Sequence, residues 1–275
     1  MKSGRRIPLW QIDAFADTPF SGNPAAVCLL ESYPSDVWLQ NVAAEMNLSE
    51  TAFVVPQETP GHFQLRWFTP ADEVDLCGHA TLATAHALLE NKLTIPDQAI
   101  HFHTRSGELI CERSEAMIKL NFPALPVLGK PEETLADAVR DGLRLTSAEV
   151  LLSKYDVLVI VDHAETVKRL APDFDRIREI ETRGLIVTGP SSEAGIDFVS
   201  RFFAPRHNIN EDPVTGSAHC VLTPYWAAQL GRSRLVGYQA SRRGGTVFCE
   251  VQGERVALSG KAVTVLEGHL LVSQH

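Results

Sequence analysis

Asp75-Leu76-Cys77-Gly78-His79-Ala80-Thr81 and, further along, Glu211-Asp212-Pro213-Val214-Thr215-Gly216-Ser217-Ala218-His219-Cys220 are two versions of one short design. In each, acidic residues precede a glycine, a polar residue and an alanine follow, and a mostly apolar run comes next. The run after Gly78 spreads Ala80, Leu82, Ala83, Ala85, Ala87, Leu88 and Leu89 around the whole circumference of a helix over 79–89. The run over 217–230 is apolar nearly all round as well. A helix with no polar face must be enclosed, and many short strands form a layer that can enclose it. Its first turn presents unpaired N–H groups and a positive dipole end, which favour an anion such as a carboxylate. Two copies predict two half-sites facing a shared cleft.

Short alternating runs flank these helices. Stretches 9–15, 25–30, 51–55, 63–68, 99–104, 108–112 and 117–121 read as strands, separated by Gly, Pro and Ser. Between them Ser35 caps a predicted helix with Trp38, Val42 and Met46 four apart, and Asn47 closes it. In the second half, helices are predicted over 133–143, 164–170 and 174–180. Strands are predicted there over 156–161, 184–187, 196–203, 234–239, 245–251, 255–258 and 262–266. Arg66-Trp67-Phe68-Thr69-Pro70 matches Arg201-Phe202-Phe203-Ala204-Pro205, each followed by acids, a glycine and a buried helix, the mark of a duplicated unit. Pro123 and Pro126 mark a hinge. The expected fold is α+β, with a first domain over 1–125 and a second over 126–275. Each is a curved, mostly antiparallel sheet around a central apolar helix, and the last strand is free to return to the first domain.

The 275 residues are 44% hydrophobic and 21% charged, ordinary values for a globular protein, and the net charge of −9 argues against a nucleic-acid partner. Five widely spaced cysteines, Cys28, Cys77, Cys111, Cys220 and Cys249, with no CxxC, suit reduced thiols. The basic start, Met1-Lys2-Ser3-Gly4-Arg5-Arg6, lacks the apolar core of a signal peptide, and no membrane-spanning run occurs. A cytoplasmic protein is expected.

Five segments in order resemble the PhzF-like family of isomerases, related in fold to diaminopimelate epimerase. They are Asp13-Ala14-Phe15 with Phe20-Ser21-Gly22-Asn23-Pro24-Ala25-Ala26-Val27; Glu45-Met46-Asn47-Leu48-Ser49-Glu50-Thr51-Ala52-Phe53; the two helix-mouth motifs; and Gln239-Ala240-Ser241-Arg242-Arg243-Gly244-Gly245. The resemblance implies a pseudo-twofold, two-domain fold, usually a homodimer, with no metal or organic cofactor and an active site between the domains. It implies that Glu50 moves a proton between carbons of a small carboxylate-bearing substrate, and that His79, Asp212 and Ser217 line the same pocket.

The residues fit those roles in different degrees. Glu50 is read as lying in a short link before an apolar strand, from which a carboxylate can reach a cleft; hydrogen bonding within the turn is the alternative. His79, after Gly78, can donate to a developing oxyanion or accept a proton, or it can satisfy helix-end groups. Asp212 is a candidate to hold a substrate amine or orient His79, and Ser217 to cap its helix while touching substrate. Gly78, Gly216 and Thr215 belong to the two mouths. Arg243 is a candidate to hold a carboxylate, with a solvated turn arginine as the alternative. Arg66 and Arg201 read as structural ion-pair partners.

Cofactor-free racemases on this fold use two opposed cysteines. Cys77 stands at the first thiol position, but Thr215 occupies the second, which disfavours an amino-acid racemase or epimerase and leaves Cys77 as a small buried residue. A non-catalytic scaffold is the third reading, and Glu50, His79, Asp212 and Ser217 together argue against it. His101-x-His103 places two imidazoles on one strand face, but without an HExxH or Cys/His cluster no metal site is expected. Nucleotide-binding glycine loops and the Gly-x-Ser-x-Gly elbow are missing too.

Overall fold

The strand Glu50–Pro56 has apolar residues pointing to both sides, so both of its faces need cover. In a computed structural model of the chain, helices supply it. The structure describes residues 5–95 and 97–272; residues 1–4, most of the basic start, lie outside it. The chain divides into two units, Met1–Asn121 with Ser259–His275, and Phe122–Leu258.

The first unit runs β1 (Arg5–Ala14), β2 (Asn23–Leu29), α1 (Asp36–Met46), β3 (Glu50–Pro56), β4 (His62–Phe68), β5 (Glu73–Val74), α2 (Gly78–Glu90), β6 (Ile100–Thr104), β7 (Gly107–Ser114) and β8 (Met117–Pro123). β1–β2, β3–β4, β6–β7 and β7–β8 pair antiparallel, while β2–β3 and β4–β6 pair parallel. Ser35 caps α1 by accepting from the Trp38 N–H at 3.3 Å, and Asn47 closes it with φ of 50°, as the sequence predicts. Val42 is buried as predicted, joined by Leu39 and Ala43 in one cluster with Ala26, Cys28, Phe53 and Val55, and Trp38 and Met46 pack half-buried against it. Alternation then sends Ala25, Val27, Ala52 and Val54 to the opposite face, where α2 lies.

The second unit runs α3 (Glu133–Leu143), β9 (Glu149–Leu152), β10 (Val157–Ile160), α4 (Ala164–Arg169), α5 (Phe174–Arg178), β11 (Leu185–Pro190), β12 (Phe198–Ala204), β13 (Ile209–Asp212), α6 (Gly216–Leu230), β14 (Arg234–Gln239), β15 (Gly245–Gln252) and β16 (Arg255–Gly260). The last strand, β17 (Ala262–Val272), pairs antiparallel with β1 of the first unit. From β9 to β15 the pairings run antiparallel, parallel, antiparallel, parallel, antiparallel. That is the order found from β1 to β7, with β13 standing for β5 and α6 for α2, so the duplication extends to topology. β5 and β13, absent from the sequence reading, are short return strands on β4 and β12. Each is held by an arginine fork: Arg66 to Glu73 at 2.7 Å twice, and Arg201 to Glu211 at 2.7 and 3.0 Å. Both arginines are the structural partners expected.

α2 is buried from His79 to Ala85 and again at Ala87 and Leu88; α6 is buried over most of its length. Their polar side chains turn back on the helix. Thr81 donates to the Cys77 carbonyl, Thr84 to Ala80 and Thr223 to His219. Pro224 inside α6 has no N–H to give the Cys220 carbonyl one turn back, and the Leu125 N–H takes that carbonyl at 3.0 Å. All five cysteines are free and buried. Among the described residues no helix is long and apolar enough to cross a membrane.

The turn between β1 and β2 depends on Gly22, whose φ is +64° and whose missing Cβ would lie 2.2 Å from the Ala14 carbonyl oxygen. Gly22→Ala is expected to cost roughly 2 kcal/mol or more. It would be read as a lower urea midpoint at unchanged slope; an unmoved midpoint would show that the turn tolerates a side chain.

Candidate active site

Parallel pairing of β2 with β3 sets Ala25 beside Glu50, and alternation places Asn23, Ala25, Glu50 and Ala52 on the face that α2 covers. Glu50 is thus the first residue of β3 rather than part of a link, and its carboxylate is aimed at the start of α2. His79, on the first turn of α2, meets it: Nε2 and Oε2 are 3.1 Å apart, with side-chain exposures of 7% and 14%. The two atoms are close without being aligned. Both are buried, and neither makes a hydrogen bond of good geometry. An unconsummated contact between a buried acid and a buried imidazole is a reserve of polar capacity facing a third group.

The other side of the ring is crowded as well. Nδ1 lies 3.3 Å from the Asn23 amide nitrogen and 3.5 Å from the Cys77 sulfur, while Ser49 donates to Asn23 Oδ1 at 3.1 Å. In the neutral ring Asn23 donates to a bare Nδ1, which puts the ring proton on Nε2, opposite Glu50; in the charged ring both nitrogens carry protons and the Nδ1–H is left to the Cys77 sulfur. Burial works against a charged imidazole. Its contacts with the Cys77 sulfur and the Glu50 carboxylate outweigh that penalty and hold His79 well above the ordinary histidine range. Burial, reinforced by Glu50, pushes the Cys77 thiol up, so it stays protonated. Cys77 is therefore a direct neighbour of His79 in the Glu50–His79 cluster, where the sequence reading left it as simple packing. Asn23 and Ser49 lie in segments that carry the resemblance, but the sequence reading gave neither a site role.

The second mouth is built differently. Thr215 is the N-cap residue of α6, but its hydroxyl donates to the Asp212 carboxylate and accepts from no helix amide. Gln239, on β14, closes the network: its amide accepts from the Thr215 N–H at 2.8 Å and donates to the Asp212 carbonyl at 2.8 Å and Thr215 Oγ1 at 3.1 Å. Ser217 does not cap α6, contrary to expectation. It sits one residue after Gly216, and its hydroxyl accepts from Arg183 at 3.2 Å, an arginine anchored on the buried Asp156. Arg243 lies half-buried in the bend before Gly244. His219 occupies the place in α6 that Thr81 holds in α2, and its Nδ1–H donates to the Thr215 carbonyl at 2.8 Å. Burial pushes His219 down to about 4 against that carbonyl's pull, so it is neutral.

Glu50 and His79 are thus brought together in the first unit, beside Gly78. Asp212, Thr215, Gly216 and Ser217 are brought together in the second. Among the described residues two groups have donor atoms close enough to hold a metal ion: Glu50, Cys77 and His79, and His62, His103 and Glu108, each set within 4.8 Å. The second set corrects the reading of His101-x-His103 as an isolated strand pattern, because β4 adds a histidine and β7 a glutamate.

Residues 12–268 match the family model for phenazine biosynthesis-like proteins. An uncharacterized isomerase of Pseudomonas aeruginosa is 49% identical over 96% of this chain and 98% of its own. The crystal structure of a PhzF-family phenazine biosynthesis protein from Enterococcus faecalis superposes with a TM-score of 0.91 at 40% identity, covering 98% of this chain and 100% of that one. A hydroxyproline epimerase from Agrobacterium vitis shares the fold at a TM-score of 0.66 and 11% identity, over 100% of this chain and 95% of its own.

The two histidines predict opposite pH effects on stability. His79 is raised in the folded state, so its contribution is full below about pH 6.5 and is lost as pH rises through the raised value. His219 is depressed, so its contribution is full above about pH 6.5 and is lost as pH falls towards about 4. Melting temperatures measured against pH should show His79→Gln losing more at pH 6 than at pH 9. A loss that does not vary with pH would contradict the charged imidazole.

Proposed function

The chain belongs to the phenazine biosynthesis-like protein family, and from that premise we propose that it is a cofactor-independent isomerase acting on a small carboxylate-bearing molecule. Glu50 is the base. Its carboxylate takes a proton from an activated carbon, the electron pair left behind spreads into the substrate's conjugated system, and the proton returns to a different carbon. No electrons are gained or lost overall. The contact between Glu50 and His79, 3.1 Å and misaligned, carries this reading, because it leaves a carboxylate and a ring N–H both available to substrate.

His79, favoured as imidazolium, is suited to donate to the oxyanion that forms as the carbon is deprotonated. Asn23 and Ser49 lie behind the ring, and the Asn23 amide takes Nδ1 once the ring is neutral. Free amides in the first turn of α2 add positive potential. Asp212, Thr215, Gly216, Ser217 and Arg243 are proposed as substrate-positioning groups. The amino-acid epimerase reading keeps Cys77 as one of its two thiols, but the hydroxyl of Thr215 is committed to Asp212 and Gln239.

Incubation with a panel of cyclic and acyclic dienoic acids in deuterated water tests the proposal. Deuterium is expected at a carbon of the conjugated system, with the double bonds shifted. Glu50→Gln should lower turnover at least about 100-fold while leaving the circular dichroism spectrum intact; unchanged turnover would remove Glu50 from its role. Exchange confined to the α-carbon of an amino acid, with loss of chirality, would replace this reaction by epimerisation.

A further inference from the structure

Three histidines and a glutamate meet on one face of β4, β6 and β7. The parallel register sets His62 beside His101 and Gln64 beside His103, and the antiparallel β6–β7 hairpin sets Glu108 opposite His103. All four side chains therefore project to the same side of the sheet. The rings of His62 and His101 stack at 4.4 Å and 7°, and those of His62 and His103 at 5.2 Å and 17°. His62 Nδ1 is 2.9 Å from His103 Nε2, and His101 Nδ1 is 3.0 Å from a Glu108 oxygen.

We propose that His62, His103 and Glu108 form a binding site for a zinc-class divalent transition-metal ion, with His101 as a positioning residue for the carboxylate. The donor atoms of the three ligands already lie within 4.8 Å of one another. A tetrahedral ion with bonds of about 2.0–2.1 Å asks for donor separations of roughly 3.3 Å, so the two ring nitrogens, 2.9 Å apart, must part by a few tenths of an ångström, and a rotamer change of the exposed Glu108 side chain brings its carboxylate in. Two imidazoles and a carboxylate select zinc, nickel or copper over magnesium and calcium, which prefer all-oxygen shells. Three ligands leave a fourth position for water. A His101 N–H held against Glu108 is the outer-sphere arrangement that orients a ligating carboxylate. Access is open, since the side chains of His101 and Glu108 are 28% and 43% exposed. Without an ion the 2.9 Å contact between His62 Nδ1 and His103 Nε2 is a hydrogen bond from one ring to the other, and a metal ion in its place takes a lone pair from each.

The test is calorimetric titration of the full-length, untagged protein with zinc chloride, with calcium and magnesium chloride as controls. The wild type is expected to bind one zinc ion per chain and neither calcium nor magnesium. His103→Gln and Glu108→Gln should each weaken zinc binding about tenfold or more, and Glu108→Gln, at an exposed position, keeps the test independent of folding. Cys77→Ser separates this site from the Glu50 cluster and should leave zinc binding unchanged. No saturable binding below about 100 μM zinc would overturn the proposal, as would binding lost in Cys77→Ser but kept in both other variants.

Discussion

Enclosure of a helix that has no polar face is the constraint from which the rest of each unit follows. α2 buries most of its side chains and α6 most of those in its first half, so the buried threonine hydroxyls and the His219 ring must find partners on their own backbones, and they do so at carbonyls one turn back. The N-terminal turn is the one place where backbone donors stay unsatisfied by the helix itself. Polar chemistry is thereby confined to the helix mouths. In the first unit the strand register delivers Glu50 and Asn23 to that spot; in the second it delivers Asp212 and Gln239.

The two units share a frame and fill it differently. The Arg66–Glu73 and Arg201–Glu211 forks, the short return strands and the strand order recur. At the mouths, Cys77 and His79 face Glu50 in one unit, whereas in the other Thr215 is held by Asp212 and Gln239 and Ser217 by Arg183. His79 is raised by neighbouring negative charge; His219, with only a carbonyl for company, is depressed by burial.

Much of this was legible in the chain because the signals were local. The Ser35 and Asn47 caps, the all-round apolar helices and the repeated Arg-aromatic-Phe-x-Pro stretch each act within a turn or two. Glu50 and His79 were legible through family resemblance, yet the strand position of Glu50 was not. What stayed hidden depended on register between distant strands. Asn23 reaches His79 because β2 and β3 run parallel with Ala25 beside Glu50. Gln239 reaches Thr215 from β14 across 24 residues. His62 meets His103 only through the β4–β6 pairing. Ser217 was misjudged because a hydroxyl at a helix start suggests a cap, while here an arginine from 34 residues upstream claims it.

Pro224 ties the second unit's middle to its beginning. By withholding a donor it leaves an acceptor at Cys220 inside a buried helix, and the Leu125 amide, just past the point where the first unit ends, fills the vacancy. The tether that leads out of one unit is thus a structural stave of the next. Severing or lengthening the chain just ahead of Leu125 would strip a carbonyl in the interior of its mate, so what looks like a dispensable connector is wired into the element that everything around it encloses.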